Sequence, residues 1–336
     1  MTAFDRQGDV RMAKKKWKKG LLSSGFPLEF ETAKVLAKSG FIVEPDYCYE
    51  RMEAGETKDF SIDLRGNLLF PTSNPNKVTA SLELLIECKY RTPNITWVFL
   101  PDINRPDFPV GEGYIIRPID RFSFCKVSTN PIWEFEDSAP LCYKGIEIDL
   151  STGNAYDAEI RRGINQLQYG LPRLISESIW WPVFGLHPED VTPFFVLPIL
   201  VTTARLRVLG KGTTLGKVED TRILEDITRK ASFLTLVNSF GPDFVAHSKR
   251  QFQELDNLDD SSSNVALIEE RLRVSELASD SVFLPSSLGR RLARGNTYTL
   301  REFCSKFIVC SFGDLPRLLE LVKQVIRSSL RKRKQF

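Results

Sequence analysis

The stretch Leu82-Glu-Leu-Leu-Ile-Glu-Cys-Lys-Tyr-Arg91 constrains this chain more than any other. It is an apolar run that ends on an acid, Glu87, and a base, Lys89, two positions apart. A short apolar run of this kind reads as a buried strand. Residues two apart in a strand point to the same face. The fold therefore carries a carboxylate and an ammonium side by side at the end of a buried element. That is costly unless both charges are paired or used. A second Glu-x-Lys, Glu56-Thr57-Lys58, follows no apolar run and reads as a polar turn, so the tripeptide alone says little.

The partner for this strand lies just before it. Asp59 to Arg65 alternates, with Phe60, Ile62 and Leu64 on one side and Asp59, Ser61, Asp63 and Arg65 on the other. Adjacent strands lie about 4.8 Å apart. Asp63 and Glu87 can then share one ion with the backbone carbonyl of Cys88. Asp59 is the rival acid, on the same face but earlier in the alternation, and Glu83 lies too near its strand's start for other than a structural or edge role. A helix is expected over Phe26 to Ser39, with Pro27 in its first turn and Gly40 past its end. Glu29, Ala33 and Leu36 fall on the stripe expected to face the core, whereas Glu31 shares a face with Lys34 and Lys38. A carboxylate so placed protonates unless a cation compensates. Glu29 is therefore the expected third acid. Oxygen ligands suit Mg²⁺, and a nearby lysine can hold an attacking water or offset charge on a phosphate.

The rest of the chain reads as an α/β protein with a mixed sheet. Short strands are expected at Phe41–Val43, Tyr47–Glu50 and Trp97–Leu100, and a loop at Pro71–Lys77. Residues 101–153, rich in Pro, Gly and aromatics, read as a β-rich insertion. A helix over Tyr156–Ser178 has the stripe Ile160, Ile164, Leu167, Leu171 and Leu174, with Gly170 and Pro172 as kink points. Gln166 sits beside that stripe. Phe194–Leu209 is a strand pair or one bent strand. Beyond Gly210 the pattern is mainly helical, with helices at Leu224–Val237, Val265–Leu277 and Leu315–Arg331 and a last strand at Phe307–Ser311. The expected organisation is a basic flexible arm over 1–25, a core over 26–209 and a helical region over 210–336 for partners or nucleic acid.

Composition excludes several chemistries. With two histidines, both read as loop or surface, and six cysteines in no CxxC pair, zinc sites and His-based hydrolase triads are not expected. The thiols are expected to be reduced, in a cytoplasmic protein, and no apolar run approaches the roughly 18 residues of a membrane span. There is no Gly-rich phosphate loop. Net charge is only +3, yet Lys14, Lys15, Lys16, Lys18 and Lys19 surround Trp17, and Arg331, Lys332, Arg333 and Lys334 crowd the far end. Such runs suit a phosphate backbone, or are simply solvated termini.

Taken together, Glu29, Asp63 and Glu87-Cys88-Lys89 resemble the helix Glu, the Asp and the ExK of the PD-(D/E)xK nuclease superfamily. Gly25-Phe-Pro-Leu-Glu29, Gly40-Phe-Ile-Val43 and Ile86-Glu-Cys-Lys-Tyr-Arg91 are similar to its restriction-like, Mrr-like bacterial branch, over about residues 25–205. Asp63 departs from the pattern in following Ile62 rather than a proline. The resemblance implies a restriction-endonuclease-like fold and a Mg²⁺-dependent endodeoxyribonuclease, with Mn²⁺ able to substitute, acting on DNA in defence or DNA processing. It implies that Asp63, Glu87, Cys88 and Glu29 hold the metal, and that Gln166 places Lys89 or the substrate. RNA as substrate, a homodimer, a non-catalytic nucleic-acid-binding subunit and a nuclease licensed by a partner stay open.

Overall fold

The computed structural model describes residues 16–70, 80–104, 113–119, 126–185, 193–256 and 285–331. Helix α1 (Phe26–Lys38) starts at Gly25, whose φ of 83° breaks it from a helical segment over 16–23. The expected arm over 1–25 thus includes a helix. Pro27 sits in the first turn of α1, and Gly40 takes φ 92° just beyond the end. The buried stripe is Leu28, Thr32 and Leu36. This corrects the stripe expected from sequence: Glu29 and Ala33 lie half-buried on its shoulder, because Leu28 and Thr32 set the packed face.

Strands β1 (Ile42–Glu53) and β2 (Glu56–Phe70) form one long antiparallel hairpin rather than short separate strands. Ala54 and Gly55 close it with φ of 54° and 87°. Two central residues at positive φ make the turn whose twist matches a hairpin. Glu56-Thr57-Lys58 consequently opens β2 instead of forming a turn.

The sheet is mixed. Strand β3 (Ala80–Lys89) pairs antiparallel with β2 and parallel with β9 (Phe194–Thr202). Strand β4 (Ile95–Pro101) pairs parallel with β10 (Arg205–Leu209). The parallel pair β3/β9 thus turns through 90–94 and 203–204 and re-forms as β4/β10, which settles the pair-or-bend question for Phe194–Leu209 as two strands. Further strands are β5 (Arg117–Ile119), β7 (Leu141–Asp149), β8 (Ala155–Tyr156), β11 (Thr228–Lys230), β12 (Phe233–Val237) and β13 (Lys306–Ser311). The order is β1-β2-β3-β9-β13-β12-β7-β4-β10-β11, with β5 on β9 and β8 on β7. A separate pair joins β6 (Lys126–Val127) to β14 (Leu330–Arg331).

Two regions expected to stand apart are built into this sheet. Strand β7, from 101–153, lies between β4 and β12, and the same stretch also holds helix α2 (Asn130–Ser138). Strands β12 and β13, from 210–336, lie near the middle. The helix expected over Leu224–Val237 is instead a single 3-10 turn (Leu224–Asp226) followed by β11 and β12. The short apolar run Phe233-Leu-Thr-Leu-Val237 fits either state, and pairing with β13 and β7 decides it. The helix expected at Val265–Leu277 and the loop at Pro71–Lys77 lie outside the described residues.

Helix α3 (Ala158–Gly185) covers one face of the sheet and runs through both Gly170 and Pro172. Its five-residue stripe is buried as expected, packed in one cluster with Ile62 and Leu85. Helices α4 (Leu215–Asp220), α5 (Pro242–Gln251), α6 (Gln253–Asp256), α7 (Pro285–Ala293) and α8 (Thr297–Cys304) follow, and all but α4 feed this cluster. His247 on α5 is buried, not on the surface: its Nε2 lies 2.8 Å from the carbonyl of Tyr169. Burial lowers its pKa to about 4, so it is neutral and donates that bond. The other face of the sheet is covered by α1, α2 and α9 (Leu315–Ser329). Of the cysteines, Cys48 is exposed, Cys88, Cys142, Cys304 and Cys310 are buried, and all five are free, while Cys125 lies outside the described residues. Among the described residues no helix is long and apolar enough to cross a membrane.

Candidate active site

The site forms where β2 and β3 part. Their register runs from Phe70↔Ala80 to Leu64↔Ile86 and stops. Beyond that point the side chain of Asp63 replaces the backbone, its Oδ2 accepting from the Cys88 N–H at 2.6 Å. The N–H and C=O of one strand residue leave toward the same edge. The Cys88 carbonyl is therefore on the Asp63 side too. The alternation of β3 sends Leu85, Glu87 and Lys89 toward α3, and Leu84, Ile86 and Cys88 toward α1.

Glu87 is 1% exposed. Its Oε1 accepts from Lys89 Nζ at 2.6 Å, and its Oε2 has no hydrogen-bond partner among the described residues. Lys89 also donates to Gln166 Oε1 at 3.2 Å, and Gln166 Nε2 donates back to the Ser61 carbonyl at 3.3 Å. Gln166 thereby ties the lysine on β3 to the backbone of β2 through α3. Gly163, one turn before Gln166, makes room for the lysine. A Cβ there would lie 2.7 Å from Leu200 Cδ1 and 3.3 Å from Lys89 Cε. Gly163→Ala is expected to displace Lys89 and cost about 1–3 kcal/mol of stability through overpacking. Thermal denaturation beside a crystal structure of the variant checks both.

The electrostatics are those of crowded acids around one base. Burial, then the neighbouring Asp63, pushes the Glu87 carboxyl up to about 7 against the pull of Lys89. Burial likewise raises Asp63, opposed by the Cys88 N–H and Lys89. Glu29 is raised by burial, by Asp63 and by Asp46, and lowered by Lys89, which places it in the same electrostatic cluster. Glu31 is exposed and paired with Lys34 at 2.9 Å, as its helix face predicts. Asp59, the rival for Asp63, is exposed on the hairpin. Glu83 is buried and bound by Arg65 and Asn67, the structural role expected of it.

One residue escaped the sequence reasoning. Asp46 stands between the pairs Pro45↔Leu64 and Tyr47↔Ile62, opposite Asp63, with φ 53°. Its charge raises both Asp63 and Glu29. Pro45 inside a strand was the available signal, since Pro marks an edge strand or an irregularity.

The donor set suits a hard divalent cation. The orphaned, buried Glu87 Oε2, the carboxylate of Asp63, the Cys88 carbonyl and Glu29 are all oxygen donors. The Cys88 thiol is not one of them: burial raises its pKa, and it turns to Thr32 Oγ1 at 3.6 Å on the opposite face. Among the described residues no three acidic, His or Cys side chains stand close enough to enclose an ion, and Lys89 serves as the counter-charge of Glu87. Of the basic residues, Lys16, Trp17, Lys18 and Lys19 are exposed on the 16–23 helix. Arg331 lies in β14, and Lys14, Lys15, Lys332, Arg333 and Lys334 are outside the described residues. A cleft of about 680 Å³ beside Trp133, Glu136 and Lys306 lies apart and includes none of the site acids.

Comparison with protein-family models, with curated proteins and with solved structures gave no significant match in any of the three.

Proposed function

We propose that this chain is a divalent-cation-dependent nuclease of PD-(D/E)xK type that hydrolyses phosphodiester bonds, in DNA first. The observation that carries the reading is the buried Glu87, with one oxygen on Lys89 and the other unpartnered, beside Asp63. Structural ion pairing needs only one acid and one base. Here Lys89, paired with Glu87 and held by Gln166, also lowers Asp63 and Glu29 through its charge.

In this reading Asp63, Glu87, the Cys88 carbonyl and Glu29 hold Mg²⁺ or Mn²⁺. The cation supplies charge stabilisation at the phosphate and a more acidic water. Lys89 positions that water or offsets charge on the phosphoryl oxygens, and Gln166 fixes the lysine's direction. The test is incubation of supercoiled plasmid and labelled oligonucleotides with Mg²⁺, Mn²⁺ or EDTA. Cleavage that needs the cation is expected. Substrates left intact at salt where the protein binds them would count against catalysis. A second reading, a non-catalytic nucleic-acid-binding subunit, draws on the closed Lys89–Glu87 bond of 2.6 Å, which compensates the acid without a metal. Nucleic-acid binding without any divalent-cation site would favour it.

A further inference from the structure

Helix α1 presents an unusual outer face beside the site. Phe26 is 65% exposed and Phe30 57%, although both are large aromatics on a well-packed helix. They are one turn apart, about 40° around the helix axis at 3.6 residues per turn. Glu29 lies within the same turn, half-buried and in the field of Asp63 and Lys89, and Thr32 on the same helix meets the Cys88 thiol at 3.6 Å, between Glu87 and Lys89 in sequence. Lys34 Nζ stands 4.1 Å over the Phe30 ring, a cation on an otherwise accessible π-face. The preceding helical segment adds Trp17, 61% exposed, among Lys16, Lys18 and Lys19. Aromatics here alternate with charges instead of merging into one apolar patch, which argues against burial under a protein partner. The cations match a polyanion, and exposed rings match unpaired bases.

We infer that this face of α1 and the 16–23 segment form a stacking platform that makes a single-stranded nucleic acid, or an unpaired end, the preferred substrate of the adjacent site. The inference rests on the nuclease reading for its substrate but not for the binding itself. Bases in a duplex stack on each other and offer no face to Phe26 or Phe30. An unpaired strand offers one per nucleotide, with its phosphates on the lysines.

Binding is measured in EDTA, so that cleavage plays no part. A labelled oligo-dT and a duplex of equal length are titrated with the full chain by fluorescence anisotropy. The single strand is expected to bind at least tenfold more tightly and to quench Trp17. The Phe26→Ala/Phe30→Ala variant is expected to lose at least about thirtyfold of single-strand affinity, the lower end for two base–aromatic stacks, while duplex affinity and the circular dichroism spectrum stay unchanged. Equal or tighter duplex binding would overturn the inference. So would an unaffected double variant, or sedimentation showing that the rings close a dimer instead. Cation-dependent cleavage is assayed separately on the same strands. Cleavage without strand preference leaves the site reading standing and removes the platform; preference without cleavage does the reverse.

Discussion

Lys89→Ala is expected to reduce cleavage at least a hundredfold, more than any single surface change. Two losses combine. On the proposed reading, the group that positions water or offsets phosphate charge disappears, worth about 10²–10³ in rate. The other loss falls on Glu87, which is already raised to about 7 while Lys89 is present. Without the ammonium 2.6 Å away it rises further and is protonated at neutral pH, no longer a ligand for a hard cation. Removing one partner of a buried pair can cost about 3–5 kcal/mol. Protonation of Glu87 offers an escape, so Lys89→Ala is expected to fold at pH 6 and to weaken chiefly above pH 7. Asp63→Asn is the complementary variant. Its amide oxygen can still accept from the Cys88 N–H, which holds the β2–β3 junction. It is expected to abolish cleavage at a near-unchanged melting temperature. Rates well above background in either variant, with the fold intact, would sink these assignments.

The second large effect is on stability against pH. The folded-state pKa of Glu87, about 7, lies above its ordinary value of 4.5. Between those values the folded chain binds more protons than the unfolded one. Stability from this group is therefore fully present below about pH 4.5 and is lost as pH rises through about 7. Asp63 and Glu29 are shifted in the same direction and add to the slope. The loss is up to about 3 kcal/mol for Glu87, at 1.36 kcal/mol per unit. Melting temperature in EDTA is expected to fall between pH 5 and pH 8, and Glu87→Gln to flatten that fall. Saturating Mg²⁺ is expected to restore wild-type stability increasingly toward pH 8, because the cation binds only the ionised carboxylates. An identical profile for wild type and Glu87→Gln would refute the assigned burial of this charge.

Much of the site was legible because it depends on local period. The two-residue spacing of Glu87 and Lys89, the alternation around Asp63 and the stripe of α3 beside Gln166 all survive in the structure. What was not legible depends on long-range pairing. β9 and β13 are neighbours through Ile308↔Ile199, a contact no local pattern announces. It draws the region beyond Gly210 into the middle of the sheet. The same kind of pairing turned Phe233–Val237 into a strand. Asp46 joins the acids through the hairpin register, between Pro45↔Leu64 and Tyr47↔Ile62 and across from Asp63. Glu31 is exposed and paired with Lys34 as its helix face predicts, while Glu29 is half-buried one residue away from the true stripe of Leu28, Thr32 and Leu36.

The most direct test of the central claim is a crystal of the chain soaked in Mn²⁺, with data collected at the manganese absorption edge. An anomalous peak bound by Asp63 and Glu87 is expected, with Lys89 drawn off Glu87 toward Gln166. An empty site at saturating Mn²⁺, with the Lys89–Glu87 bond unbroken, would contradict that claim.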